Sequence, residues 1–357
     1  MTFQRAFTCA AAAAAVAAGV RASGTNTPRA DPFAFFHPHV VDAADRERLD
    51  RGDVVVRVLP ARDGELGVFA ASRLDAPPET LVTWTHAIAQ LKQSVFVLAI
   101  RRFSDPPVLD DLDALALDER DVEAVRRCRI GDCAVKLAGH EIESLRAAAA
   151  GPEWRAAIQQ EFRRAVLIRV NTYRSDGLAG LPPYADRRDL LRPKDAFAAI
   201  LAGSPYLFDR LPGVSARLMD DPRADVPGVE SFFYWSKEQY GAGKRVISVT
   251  HVDIVRPDAA GAPAVLVLGK EIFATHYRTG SLGVTAVVHD PVPDQRYLVY
   301  INRSQVDVLH GLFGGLKRRL IEGRIADEST ELVGAVRRKL ESGSPASPPL
   351  QIHEGEL

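Results

Sequence analysis

Apolar residues in the last third of the chain fall into five runs that predict consecutive β-strands. Each run is rich in Val, Ile, Phe, Tyr or Thr and ends at residues typical of turns. The connections are short, which favours antiparallel neighbours and therefore a meander with one face in need of a cover. The runs are Val229 to Ser236, Arg245 to Arg256, Val265 to Tyr277, Leu282 to His289 and Arg296 to Asn302.

A helical pattern follows the last predicted strand. Ser304 and Asp307 have the spacing of a capping box, in which each side chain satisfies the other's backbone N–H. One apolar stripe then repeats at helical spacing, loses phase near Gly323 and resumes at Leu332, which predicts a kinked helix or two helices. The first part of the stripe contains Leu309, Leu312, Phe313, Leu316 and Leu320. We expect this helix, from Gln305 onward, to cover one face of the meander.

The middle of the chain changes from strand-like to helical patterns. Strands are predicted from Asp53 onward, followed by a Trp84-bearing helix and another strand. Helical patterns then occupy Asp105 to Pro227, and the longest runs from Pro152 to Ser175 and is closed by Gly177. This segment is either a helical insertion that lies across the sheet or a separate helical domain.

The order of these elements resembles the START-like (SRPBCC) superfamily, here in an elaborated, secreted form. The resemblance is carried by Gly67 to Leu91, with its Ala-Pro-Pro-Glu turn, and by Val229 to Leu320. It implies an α+β fold of the helix-grip type, in which a curved antiparallel sheet grips a long C-terminal helix. It also implies an apolar cavity between sheet and helix for lipids, sterols, polyketides or aromatic compounds. Catalytic residues differ among its enzymes, so the resemblance assigns none here.

The predicted organisation divides the chain into six parts. Residues 1–22 are a signal peptide, 23–50 an extended lead-in, 51–104 the first part of the START-like domain, 105–228 a large helical insertion, 229–341 the second part of that domain, and 342–357 a flexible tail. With 357 residues the chain can bury a large core. Its formal net charge of −1 removes the electrostatic argument for a nucleic-acid partner.

The first residues predict export. Arg5 precedes an apolar core at Ala10 to Val20, which is too short to span a bilayer, and cleavage is expected before Ser23. The mature protein is therefore expected to be periplasmic or secreted, with no integral membrane span. Cys128 and Cys133 are then the remaining cysteines, and a pair separated by a turn in an oxidising compartment predicts a short-loop disulfide.

Candidate chemistry is limited to a few polar residues of the meander. His251 and Asp253 share one face of a strand, which suggests a metal or acid–base site with His276. In a hairpin about residues 258–261, however, His251 lies near Lys270 and about 20 Å from His276. We therefore predict no metal, no cofactor and no catalytic residue. His251, Glu271 and His276 remain possible polar residues of a cavity.

The predicted function is that of a carrier for a hydrophobic small molecule, such as a lipid, a sterol-like or a polyketide-like compound. The alternatives are a cyclase- or hydrolase-like enzyme that uses the same cavity, and a module that docks a protein partner through the inserted helices. A buried ionisable residue that points into the cavity would favour the enzyme. The expected ligand-binding residues are Tyr234, Phe273, Tyr277, Tyr300, Leu312, Phe313 and Leu316.

Overall fold

The structure is a computed structural model. It describes residues 31–36, 39–62, 64–219, 222, 226–239, 243–291, 294–309 and 314–346. At residues 208, 308 and 314–322 it describes the backbone alone. The predicted signal peptide, Leu312 and Phe313 lie outside the described residues, and so does the side chain of Leu316.

The described chain contains one open, curved, antiparallel sheet of eight strands. The strands are β1 (Val55–Val58), β2 (Glu65–Leu74), β3 (Val97–Arg102), β4 (Glu230–Glu238), β5 (Val246–Val255), β6 (Val265–Ala274), β7 (Arg278–Asp290) and β8 (Gln295–Val306). Their order across the sheet is β1-β2-β8-β7-β6-β5-β4-β3. Strands β4 to β8 are the predicted meander, and the predicted register of His251 opposite Lys270 is confirmed.

Ten α-helices are present in the described part of the chain. They are α1 (Ala43–Asp50), α2 (Pro78–His86), α3 (Ile88–Leu91), α4 (Glu119–Arg127), α5 (Gly139–Ala148), α6 (Trp154–Gly180), α7 (Pro193–Ala202), α8 (Pro205–Arg210), α9 (Pro212–Met219) and α10 (Gly314–Glu341). Short 3-10 helices lie at Leu109–Leu112 and Asp307–Leu309. The fold is therefore α+β with a long C-terminal helix, as predicted, and α10 continues through Gly323 as one helix.

The sheet separates two cores. One face, which we call the α10 face, packs against α2, α3 and α10 through Leu81, Trp84, Ile88, Val333 and Leu340. The opposite face, which we call the insert face, shares one continuous core with the helices between β3 and β4. Phe162 and Val166 of α6 and Phe197 of α7 belong to this core together with Trp235 of β4. The inserted helices therefore pack on the sheet.

The predicted capping box at Ser304 and Asp307 is wrong. Strand β8 is paired on both sides, so the ladder already satisfies its backbone as far as Val306. The Ser304 hydroxyl bonds the Ser281 hydroxyl at 2.8 Å, and Asp307 accepts from Lys136 at 2.8 Å. The C-terminal helix begins later, at Gly314.

The predicted lead-in and tail are also more ordered than expected where the structure describes them. Helix α1 starts at Asp42, whose carboxylate accepts from the Asp45 N–H at 2.8 Å. Phe33, Phe35 and Phe36 are buried in the core of the insert face. At the other end, the Gly343 carbonyl accepts from the Trp84 indole at 2.6 Å. The described parts of both segments thus belong to the same compact unit, which begins at Asp31.

Candidate functional site

A cavity of about 470 Å³ opens on the insert face, where β3, β4 and β5 meet α6. The loop after β3 forms one wall, and side chains of β4 and β5 form the floor. The lining residues are Arg102, Phe103, Ser104, Asp105, Pro107, Arg174, Pro222, Ser231, Phe232, Phe233 and His251. This volume is within the range of roughly 300–1,000 Å³ that small-molecule sites occupy.

Strand pairing brings the polar residues of the floor together. Ser231 of β4 lies opposite Asp253 of β5, and Phe233 lies opposite His251. Because side chains alternate along a strand, these four residues share the insert face. The Phe233 ring stacks on the His251 imidazole with centroids 4.5 Å apart.

His251 lies at the centre of a hydrogen-bonded chain. Its Nε2 is 2.6 Å from the Ser231 hydroxyl oxygen, and its Nδ1 is 3.0 Å from the Tyr173 hydroxyl of α6. The imidazole is 2% exposed, and this burial lowers the pKa of His251 from 6.5 to about 3. The imidazole is therefore neutral at physiological pH.

Buried charges surround this chain. The Asp253 carboxylate accepts from Arg217 of α9 at 3.1 Å and lies 3.4 Å from His251 Nε2. The Lys270 ammonium lies 4.7 Å from the centroid of the Tyr173 ring. Asp253 opposes the fall of the His251 pKa, whereas Lys270 and Arg217 add to the effect of burial.

The tautomer of His251 determines what the Ser231–His251 pair can do. The Asp253 carboxylate, which can only accept, lies 3.4 Å from Nε2 and favours the imidazole proton there, where it also faces Ser231. Nδ1 then accepts from the Tyr173 hydroxyl, whose pKa burial raises well above 10. A serine nucleophile requires an Nε2 that accepts the hydroxyl proton. In this tautomer the Ser231–His251 pair is arranged to hydrogen-bond a ligand and not to activate Ser231 as a nucleophile.

An ion pair lies at the mouth of the cavity. Arg174 follows Tyr173 on α6 and donates to the Asp105 carboxylate at 2.6 Å. Arg102 also contributes to the lining, but its guanidinium lies over the ring of Phe232, which belongs to the core of the α10 face. The opening therefore presents one cationic group, Arg174, beside Phe233 and His251.

The predicted aromatic ligand residues do not converge. Tyr234 and Tyr300 lie in or against the core of the α10 face, whereas Phe273 lies in the core of the insert face. Phe273 packs 6.3 Å from Phe162 and 6.5 Å from Tyr184, measured between ring centroids. Tyr277 is 36% exposed beyond the end of β6, and its hydroxyl accepts from the Lys244 N–H. Phe273 and Tyr277 therefore do not line one cavity between the sheet and the C-terminal helix.

Of the three predicted polar cavity residues, His251 lines the cavity, and Glu271 and His276 have hydrogen-bond partners elsewhere. Glu271 accepts two hydrogen bonds from Arg278, at 2.9 and 2.7 Å. His276 is 2.9 Å from the Asp121 carboxylate of α4. Within the described residues, no cluster of three or more His, Cys, Asp or Glu side chains could hold a metal ion.

Sequence reasoning missed Ser231, Tyr173 and Arg174. A signal was present in the β4 pattern, because Ser231 and Phe233 alternate on the face of the strand that carries Trp235. The two α6 residues gave no such signal, since nothing in the sequence specifies where a helix crosses a sheet.

Cys128 and Cys133 form the predicted disulfide, with sulfur atoms 2.03 Å apart. The bridge is compatible with an oxidising compartment. None of the helices in the described ranges is both long enough and apolar enough to cross a membrane. No protein-family model matches this chain, and no curated protein matches it significantly.

Proposed function

We propose that the protein binds a hydrophobic small molecule in the cavity on the insert face. The observation that carries this proposal is an open cavity of about 470 Å³ whose lining combines aromatic and polar side chains. Small-molecule sites typically combine a mostly apolar lining with a few polar groups that fix orientation. Phe103 and Phe233 supply apolar surface here, and Ser231 and His251 supply polar groups.

The sheet order and the C-terminal helix support a START-like, helix-grip relationship as part of the proposal. The proposed binding place differs from the one that the resemblance implies. The described interface between sheet and α10 is an apolar core, with Val333 and Leu340 packed near Leu74. The inserted helices supply the cover of the proposed cavity instead. The disulfide supports a periplasmic or secreted location.

The proposal is tested by filling the cavity. Ser231→Trp places a large side chain in the space, whereas Ser231→Ala removes only the hydroxyl and serves as the matched control. Native mass spectrometry of protein purified from its own host should show an organic ligand on the wild type and on the Ala variant, and none on the Trp variant. Displacement of 1-anilinonaphthalene-8-sulfonate by a panel of fatty acids, sterols and aromatic compounds gives the affinities.

Equal ligand affinity in folded wild type and Ser231→Trp would contradict this location. Failure of the folded wild type to bind any member of the panel would contradict the function itself. Preference would then move to protein docking through the inserted helices. A thermal melt of each variant separates loss of binding from loss of fold.

An acyl-transfer enzyme is the second candidate, because Ser231 Oγ lies 2.6 Å from His251 Nε2. Two contacts of His251 favour binding over this chemistry: the hydrogen bond of Nδ1 with the Tyr173 hydroxyl and the Asp253 carboxylate beside Nε2. A fluorophosphonate probe distinguishes the two functions. Labelling of wild type but not of Ser231→Ala would support the enzyme, and no labelling is expected.

A further inference from the structure

The mouth of the cavity contains an ion pair that a ligand could replace. Asp105 belongs to the loop after β3, and its side chain is 88% exposed. Its partner Arg174 is fixed on α6 directly after Tyr173, whose side chain is fully buried, and is itself 33% exposed. An ion pair between such exposed groups contributes little to stability, because water solvates both charges well. Separating the pair therefore costs little.

Arg174 is the cation at this mouth. Arg102 also contributes to the lining, but its guanidinium lies 4.2 Å from the centroid of the Phe232 ring, which belongs to the core of the α10 face. The pair at the mouth thus joins one guanidinium, anchored on α6, to a carboxylate that is mostly exposed.

We infer that the ligand carries a carboxylate, which Arg174 binds in place of the Asp105 carboxylate while the apolar part of the ligand lies on Phe103 and Phe233. This inference rests on the proposed function and specifies the ligand class for the same cavity. Arginine binds a carboxylate through two parallel hydrogen bonds, an arrangement that a neutral amide cannot match in strength. In the absence of ligand, Asp105 occupies the place of the ligand head group.

The test uses two probes with the same apolar body, naphthalene-2-carboxylate and naphthalene-2-carboxamide. Isothermal titration calorimetry at neutral pH and low salt should show about tenfold tighter binding of the carboxylate to wild type. Arg174→Met should bring the two affinities to within about twofold of each other, by weakening the carboxylate alone. Arg164→Met, ten residues earlier on α6 and 52% exposed, is the control and should retain the wild-type preference.

Asp105→Asn tests directly whether Asp105 competes with the ligand for Arg174. Because the competing carboxylate is removed, this variant should bind naphthalene-2-carboxylate about threefold more tightly and the carboxamide unchanged. Equal wild-type affinities for the two probes would overturn the inference and leave the proposed function standing. Weaker carboxylate binding by Asp105→Asn would also overturn it, since Asp105 would then support Arg174 and not compete for it. Binding of neither probe would overturn the inference, and the ligand panel described above would then decide the proposed function separately.

Discussion

The two faces of the sheet differ in what holds their covering helices. On the α10 face, the contacts are mainly those of apolar side chains such as Leu81, Val333 and Leu340. On the insert face, an equally buried apolar core contains ion pairs: Arg169–Glu141 at 2.6 Å, Lys136–Asp307 at 2.8 Å and Arg217–Asp253 at 3.1 Å. The first cover is therefore held mainly by burial of apolar surface, and the second also depends on matched charges.

This difference bears on the proposed binding site. Burying an ion pair costs desolvation that its attraction offsets only in part, so apolar residues of similar volume would often serve stability as well or better. Arg169 Nη1 even lacks a hydrogen-bond partner among the described residues. The face that carries this cost is also the face with the cavity and the His251 chain. We take the buried charges as devices that fix the inserted helices in one position over the site.

The largest expected effect comes from breaking one of these ion pairs. Arg169→Met leaves Glu141 buried with its Ala138 N–H bond and no cation, so unfolding free energy should fall by about 3–5 kcal/mol. Urea denaturation followed by tryptophan fluorescence measures the loss. Adding Glu141→Gln should restore a large part of it, because the buried charge is gone. Additive losses in the double variant would show that the pair does not act as a unit.

A smaller loss is expected on the α10 face. Leu340→Ala removes a side chain that is 1% exposed and should cost about 3 kcal/mol. Leu332→Ala on the same helix removes one that is 42% exposed and should cost less than about 0.5 kcal/mol. The same urea titration compares them. Equal effects of the two substitutions would mean that α10 does not lie on the sheet through this side.

His251 on the insert face should contribute part of the pH dependence of stability. Because the pKa of His251 is about 3 in the fold and about 6.5 in the unfolded chain, the unfolded state binds an extra proton between these values. Stability should therefore be fully present above pH 6.5 and decline as pH falls toward 3. His251→Gln should reduce the loss between about pH 7 and pH 5 by about 2 kcal/mol.

Asp253, Arg217, Lys270 and Tyr173 face His251 and are all retained in that variant. Urea titrations of both proteins at the two pH values provide the measurement. An identical pH slope in wild type and His251→Gln would show that His251 is not buried as a neutral group.

Much of the sheet could be predicted from the sequence because local patterns determine it. The β4 to β8 runs are long, their turns are marked, and the β5–β6 loop sets His251 opposite Lys270. The break in α6 at Gly177 was predicted for the same reason, since Gly177 adopts a positive φ of 63°, although the helix extends beyond it to Gly180. These features depend on residues that are close in sequence.

The failures share a different cause. A period-two pattern shows that Tyr234 and Phe273 each face a core, but it cannot assign the two strands to the same side. The capping-box pattern at Ser304 was outweighed by pairing with two distant strands. The candidate site combines β4, β5 and α6, so its convergence depends on tertiary packing that no local signal encodes.

The smallest expected effect is at the solvent-exposed rim of the α10 face. Arg256 donates to Glu79 of α2 at 3.1 and 2.9 Å and to Glu230 of β4 at 2.8 Å, so it joins the helix to the sheet. Arg256→Ala should lower unfolding free energy by about 0.5–1 kcal/mol, because water solvates all three groups. In about 1 M salt, where charges are screened beyond roughly 3 Å, this loss should disappear, while the cost of Arg169→Met should persist. A loss at Arg256 that persists in high salt would mean that its aliphatic stem, and not its charge, holds α2. The surface ion pairs would then not contribute to the difference between the two faces of the sheet.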